Sequence, residues 1–326
     1  MTVTSHDVAR LAGVNQSTVS RALRGAPGVS AETQRRVREA AEALSYVPSD
    51  AGRALSTQRT GAVGILSGEL TNPFYPELIE PMRQALLEHG YRSVLIPDSA
   101  AEPFDADRWA RGVFDGMVLT TARTGSDLAD RLHARGIPFV FANREIPEAA
   151  ADRCVSDNAA GAAAVAELLT DLGHTRIAAI MGPADTSTGA ERESSFRTAL
   201  EARGIALPES HIERGEFTFA FGSDAAERLL AGIRPSAIFC ANDVLALGAA
   251  DALHAAGQGE TTMLVGYDDI STAARRVYDL TTVHADIPRM GRTAAELLVA
   301  RIAEPGRPYE RVVLPVSLVR RRVVAA

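Results

Sequence analysis

DVARLAGVNQSTVSRALRGAPGVSAETQRRVREAAEALSYVPSDAGRAL, residues 7–55, decides the reading of this chain. Three short helices can be laid on it. Thr4-Ser5-His6-Asp7 has the capping-box form, and the helix that follows presents Val8 and Leu11 inward and stops at Gly13. Asn15 is a good N-cap for a second helix, Gln16 to Leu23, with Val19 and Leu23 on one face. At about 100° per residue, Ser17, Ser20, Arg21 and Arg24 fall on the opposite face. Ser30 caps a third helix striped by Val37, Ala41 and Leu44, which Tyr46-Val47-Pro48 ends because a residue before proline avoids helical geometry. A short, outwardly polar helix joined to another by a tight glycine-containing turn predicts a helix-turn-helix that enters a DNA major groove. The pattern alone fits equally well a three-helix bundle whose charges are simply solvated.

Outward from this head, 326 residues are too many for one core and imply two or three domains. Two cysteines, Cys154 and Cys240, exclude a disulfide scaffold. No run approaches the roughly 18 apolar residues of a membrane helix, and MTVTSHDVAR lacks a signal peptide's basic start and apolar stretch, so a cytoplasmic protein is expected. The net charge of −7 hides an asymmetry: residues 1–60 carry +3 and residues 61–326 carry −10. A basic head on an acidic body suits one end that meets phosphates and another that does not. All 34 basic residues are Arg, in the acidic body as well as the head, which points to genome composition rather than to DNA contact.

From Gly61 on, GAVGIL, SVLIPD, GMVLTT, PFVFAN, RIAAIMGP, AIFCAN and MLVGYDD alternate with helical segments. Unbroken apolar strands spaced by helices predict parallel sheets covered on both faces, here in two groups divided near Asp157. The chain returns through PRMGRTAAELLVARI to a last strand, RVVLPVSL. Ligands of open α/β sheets bind at strand carboxyl ends. There lie Asp98, Thr120, Asn143-Arg144, Asp185, Asn242-Asp243 and Asp268-Asp269, a set suited to a polyhydroxylated small molecule. Asn242-Asp243 can equally cap the following helix, with Asp243 the expected cap, and Phe217 can equally be core.

The head string resembles, without a gap, the DNA-binding head of the lactose-repressor (LacI/GalR) family of bacterial transcription regulators. LTNPFY, SDN, LGHTRIAAIMGP, GAER, ANDVLALGAADAL and VGYDDI resemble that family's periplasmic-binding-protein-like effector domain. The resemblance implies an all-α helix-turn-helix head (1–48), a hinge helix and linker (49–60) and an α/β body of two Rossmann-like lobes (61–326). The first lobe would be about 61–157 with 288–318, the second about 158–287 with 319–326. It implies base reading by Gln16, Ser17 and Arg21, with Thr4, Asn15, Thr18 and Ser20 holding phosphates or capping helices. The hinge would add Arg53 and Leu55 to the DNA contacts, Leu55 as a minor-groove wedge. Arg192, Asn242 and Asp268 match effector hydrogen-bonding positions, and Phe74, Tyr75 and Phe217 the aromatic contacts. Asn143, Arg144, Asn72 and Asp157 are further candidates.

The expected function is a ligand-controlled repressor binding a palindromic operator as a homodimer, with a sugar as effector. A nucleoside or purine corepressor is the alternative, since GPADTSTGAER also resembles the purine-repressor version of that loop. A regulator governed by a protein partner, or a solute-binding protein, would be different classes. The absence of a terminal leucine heptad run gives no support for a tetramer. No GxGxxG after a strand, P-loop, GxSxG or HExxH supports an enzyme, and no metal or cofactor is expected. His174 is expected to cap or pack, and Cys240 to be a buried small hydrophobe. Three departures from the family stand out. Gly52 replaces the usual hinge alanine and weakens a marginal helix. Pro81 should kink or break the first lobe's leading helix. AEPFDADRWARG is about one helical turn shorter than the family's usual stretch before the D-G-strand pattern.

Overall fold

The computed structural model describes residues 3–23, 25, 27–46, 59–98, 104 and 113–326. The predicted hinge, with Gly52, Arg53 and Leu55, lies outside the described residues, as do Arg24 and all but Phe104 of AEPFDADRWARG. The chain divides into two units, residues 1–60 and 61–326.

In the first unit, α1 (Ser5–Ala12), α2 (Gln16–Leu23) and α3 (Ala31–Ala43) enclose Val8, Ala9, Ala12, Val19, Ala22, Val37, Ala40 and Ala41. Asp7 accepts from the Thr4 amide at 3.0 Å and from its hydroxyl at 2.7 Å, and these bonds hold its carboxyl below the ordinary range. Ser30 caps α3 by accepting from the Thr33 N–H. Arg36 of α3 donates to the carbonyl of Ala12, so a cation sits on the last turn of α1 and fixes the turn into α2. Leu11 is a correction: it is 57% exposed, because the small Ala9 and Ala12, with Val8, occupy the face that packs inward. α3 also ends earlier than its proline implied, at Leu44, followed by Ser45 in the left-handed region.

The second unit contains two six-stranded sheets. The first lobe has β1 (Ala62–Ser67), α4 (Phe74–Glu88), β2 (Arg92–Pro97), β3 (Gly116–Leu119), α5 (Leu128–Ala134), β4 (Phe139–Ala142) and β5 (Asp152–Ser156). The second has α6 (Asn158–Asp171), β6 (Ile177–Met181), α7 (Ser187–Ala202), β7 (Ile212–Arg214), α8 (Phe219–Gly232), β8 (Ala237–Cys240), α9 (Asp243–Ala255), β9 (Met263–Asp268) and β10 (Thr281–Ala285). α10 (Ile287–Ala303) returns to the first lobe, followed by β11 (Arg311–Leu314) and β12 (Val316–Val319). The strand orders are β11-β5-β4-β3-β1-β2 and β12-β10-β9-β8-β6-β7, the same order used twice but for the direction of the last strand. Every pairing is parallel except β10 with β12. β1, β3, β4, β6 and β8 are buried along their whole length, which is why they read as unbroken apolar runs.

RVVLPVSL is not one strand. Pro315 divides it: β11 closes the first sheet beside β5, and β12 pairs antiparallel with β10 in the second. The last crossing therefore falls at 315 rather than after 318. β5, β7 and β10 were not among the predicted strands; β5 is polar in sequence (DRCVS), and β7 has only three residues. The lobes are joined at three places, each one residue past a strand. Asp157 caps α6 with φ −73° and ψ 78°, Asp286 caps α10 with φ −73° and ψ 75°, and Pro315 is the third. Pro81 sits inside an uninterrupted α4, whose buried Leu78, Ile79, Met82, Ala85 and Leu86 hold the helix on the core despite the lost hydrogen bond.

Candidate functional site

On α2, Val19 and Ala22 are buried against the bundle, which turns Gln16, Ser17, Ser20 and Arg21 to the surface; Thr18 is half-buried and Asn15 exposed. Gln16 donates from Nε2 to Ser5 Oγ at 2.9 Å, and Arg21 donates to the Pro27 carbonyl at 2.8 Å. Both long side chains are held by these bonds to neighbouring surface groups. Thr4 is the N-cap of α1, and the Asn15 carbonyl accepts from the Thr18 and Val19 amides at the start of α2.

In the body, all eight predicted effector residues line one cavity between the lobes: Phe74, Tyr75, Asn143, Arg144, Arg192, Phe217, Asn242 and Asp268. Asn72 and Thr188 complete it, and its volume is about 20 Å³, room for about one water. Asp157 does not line it.

Arg192 is the fixed point. It is 3% exposed on α7, donating from Nε to Asn158 Oδ1 at 2.8 Å and from a terminal nitrogen to the Ala241 carbonyl at 2.6 Å. Its other terminal nitrogen lies 3.2 Å from Asp268 Oδ1, and the guanidinium stacks 3.6 Å above the Tyr267 ring. Burial raises the Asp268 carboxyl to about 6, and the charge of Arg192 keeps it from rising further. The backbone there is strained, with Asp268 at φ +105° and Asn143, at the end of β4, at φ +70°. Asn158 was missed although it opens a helix directly after a strand; it turns Arg192 toward the cleft.

Asn242, not Asp243, is the cap of α9, its Oδ1 accepting from the Leu245 N–H at 2.9 Å; its Nδ2 has no partner among the described residues. Asp243 is fully buried and instead accepts from Thr282 Oγ1 at 2.5 Å and the Ile270 N–H at 2.9 Å, tying the β9 end to β10. Burial first, then the nearby charge of Asp268, raises its pKa well above the usual value. His174 is buried between Ser236 Oγ and the Val324 carbonyl, and Cys240 is buried with its thiol pushed up.

Each lobe supplies an aromatic ring seated on a glycine. A side chain at Gly68, just past β1, would lie 2.6 Å from the Tyr75 ring, and one at Gly182, just past β6, would clash with the Phe217 ring. Only glycine admits these rings so close to the strand ends. Phe74 meets Tyr75 edge-on at 5.6 Å. Arg144 lies 5.1 Å over the Phe217 ring, is 8% exposed, and its Nε is buried without a hydrogen-bond partner. An unpaired buried donor is costly until an acceptor arrives.

A larger cavity of about 790 Å³ adjoins the small one and shares Asn72, Tyr75, Arg144 and Phe217 with it. Ion pairs link the lobes beside it: Arg123 donates to Asp185 at 2.9 and 3.0 Å and to both Glu216 oxygens at 3.1 Å. The Thr124 N–H adds a bond to the Asp185 carbonyl, the Glu145 N–H one to Ser187 Oγ, and the Ser271 N–H one to Glu77. Neither Arg123 nor its partnership was legible, because it joins residues 62 and 93 positions apart. Among the described residues no group of His, Cys, Asp and Glu converges to hold a metal, and no helix is long and apolar enough to cross a membrane.

Comparison with known proteins places this geometry. Residues 4–49 match the model for bacterial regulatory proteins of the lacI family, and residues 166–324 the periplasmic binding protein-like domain. The chain is 32% identical to the ribose operon repressor of Escherichia coli (strain K12), covering 98% of each. It is 34% identical to the HTH-type transcriptional regulator CelR of Thermobifida fusca, covering 96% of each. A solved CelR–cellobiose complex matches with a TM-score of 0.74 at 33% identity, over 98% of this chain and 99% of that one. The lac repressor dimer bound to operator and the anti-inducer ONPF shares the fold, with a TM-score of 0.86 at 24% identity over the whole of both chains.

Proposed function

The chain belongs to the lacI family of bacterial regulatory proteins, and on that premise we propose that it is a repressor of sugar-uptake or catabolic genes whose operator affinity is set by a saccharide in the inter-lobe cleft. One observation carries the reading: eight hydrogen-bonding and aromatic side chains from both lobes converge on one cavity, with an unpartnered Arg144 Nε among them. Asp268, Arg192 and Asn242 supply charged and amide groups for vicinal hydroxyls, and Phe217 and Tyr75 offer ring faces to the apolar side of a pyranose. Nothing in this constellation pairs a nucleophile with a base, and the reading is of a regulator without catalysis or cofactor.

On DNA, Arg21 would read guanine and Gln16 adenine from the major groove, with Ser17 discriminating less sharply. Thr4, Asn15, Thr18 and Ser20 would hold phosphates or cap helices. The homodimer would form along the first lobe, where edge strand β2 exposes Val94 and Leu95, and α4 exposes Leu87. A saccharide shifts operator affinity only by its difference in affinity for the DNA-competent and DNA-incompetent arrangements.

Selection of random duplex DNA by the purified protein, with and without a pool of sugars and nucleosides, tests this reading. A palindrome enriched without the pool and lost with it establishes an inducible repressor. Enrichment only with the pool makes it a corepressor system, and enrichment unaffected by the sugar fraction refutes the saccharide.

A further inference from the structure

The small cavity holds the residues that grip a ring but has room for about one water, whereas the chamber beside it holds about 790 Å³. A hexose packed as in an organic solid needs roughly 180 Å³, so the chamber, which is open to solvent on one side, has room for a ring beyond the one gripped in the small cavity. The two spaces meet at Asn72, Tyr75, Arg144 and Phe217, so a ligand gripped in one continues into the other through this waist. The chamber is lined as a carbohydrate site is lined. Glu69, Asp127, Ser126 and Glu216 offer hydroxyl partners, and Phe219, 41% exposed at the start of α8, offers a second ring face two residues beyond Phe217. A large exposed aromatic on a wall that also carries Leu66, Leu119, Leu128 and Val244 beside the polar groups is the feature that the first ring leaves unused.

Resting on the sugar reading given above, we propose that the effector is a saccharide of at least two rings. Its inner ring is held by Arg192, Asp268 and Asn242 when the lobes part to admit it, and its outer ring lies on Phe219 among Glu69, Ser126 and Asp127. Arg144, at the waist, directs its unpartnered Nε–H to an oxygen near the glycosidic link.

The test is calorimetric titration of the purified full-length protein with monosaccharides and with the di- and trisaccharides built from them, together with a set of nucleosides. A disaccharide is expected to bind at least tenfold tighter than its component monosaccharide. Phe219→Ala and Ser126→Trp, both at exposed positions, should each remove most of that gain while leaving monosaccharide affinity within twofold. A monosaccharide that binds as tightly as its oligomers overturns the proposal and leaves the sugar reading standing. So do variants that weaken the mono- and disaccharide equally. Binding by nucleosides and by no saccharide overturns the sugar reading, and this proposal with it.

Discussion

Replacing Asp268 by Asn separates the stability of the cleft from its function. The Asp268 carboxyl is 5% exposed, and its pKa is raised from 3.8 to about 6, first by burial and with Arg192 opposing. A shift of about two units corresponds to about 3 kcal/mol. The folded value lies above the unfolded one, so the native state holds this proton more tightly. The stability contributed by the protonated group is fully present below about pH 4 and is lost as pH rises through about 6. Asparagine has the same shape, keeps an oxygen toward Arg192, and tolerates the positive φ that Asp268 adopts. Asp268→Asn should therefore match the parent in stability near pH 4 and exceed it by up to about 3 kcal/mol at pH 8. Urea unfolding of the parent and the variant at pH 4.5, 6 and 8 reads the difference directly. Function should move the other way: a hydrogen bond to a charged group contributes about 1.5–3 kcal/mol, so effector affinity should fall roughly 10- to 150-fold. Operator binding without effector should not change. A variant less stable than the parent at pH 8, or a difference independent of pH, refutes the electrostatic argument; an unchanged effector dose–response removes Asp268 from the site.

Three other perturbations have defined outcomes. Arg21→Ala should cost about 1–3 kcal/mol on the preferred operator and relax base preference at one position of each half-site; a uniform loss across all sequences would make Arg21 a phosphate contact instead. Arg123→Ala cuts the inter-lobe pairs to Asp185 and Glu216, each partly exposed pair contributing about 0.2–1 kcal/mol; because the lobes must part to admit a ring, effector affinity should rise roughly 2- to 30-fold. High salt should reproduce most of that gain in the parent and little in the variant; an equal salt response in both would exclude the pairs as a latch. Gly52→Ala, by up to about 1 kcal/mol of helix propensity, should tighten operator binding, and equal or weaker affinity would speak against a hinge limited by its glycine.

The inner site was legible because its chemistry follows from position. Asn143, Arg144, Asn242 and Asp268 stand at strand carboxyl ends, where a doubly wound sheet opens, and strands buried on both faces announce themselves as apolar runs. The identities of Arg192 and Phe217 as site residues came only through family likeness, since neither lies at a strand end. Contacts between distant segments left no local trace. Arg123 meets Asp185 and Glu216 only after both lobes form, Asn158 reaches Arg192 across two helices, and the large chamber is a space that no single segment encodes. Pro81 and Leu11 misled for a related reason: packing by neighbours decides whether a helix survives a proline and which of its faces is inner. Pro315 could have been read better, because a proline within a β-run is confined to edges and breaks, and here it marks a change of sheet.

The three crossings also set the kinematics of the body. Two sheets joined by one strap could slide, tilt and twist; joined by three straps one residue long, they lose translation and keep little beyond rotation. At Asp157 and Asp286 the free torsions are those of a single residue in the same conformation, each with a helix anchored to its side chain. At Pro315 the ring removes φ as a variable. The body therefore works as a lever with its fulcrum at the crossings, turning a small angular change at the ligand into a displacement that grows with distance from them.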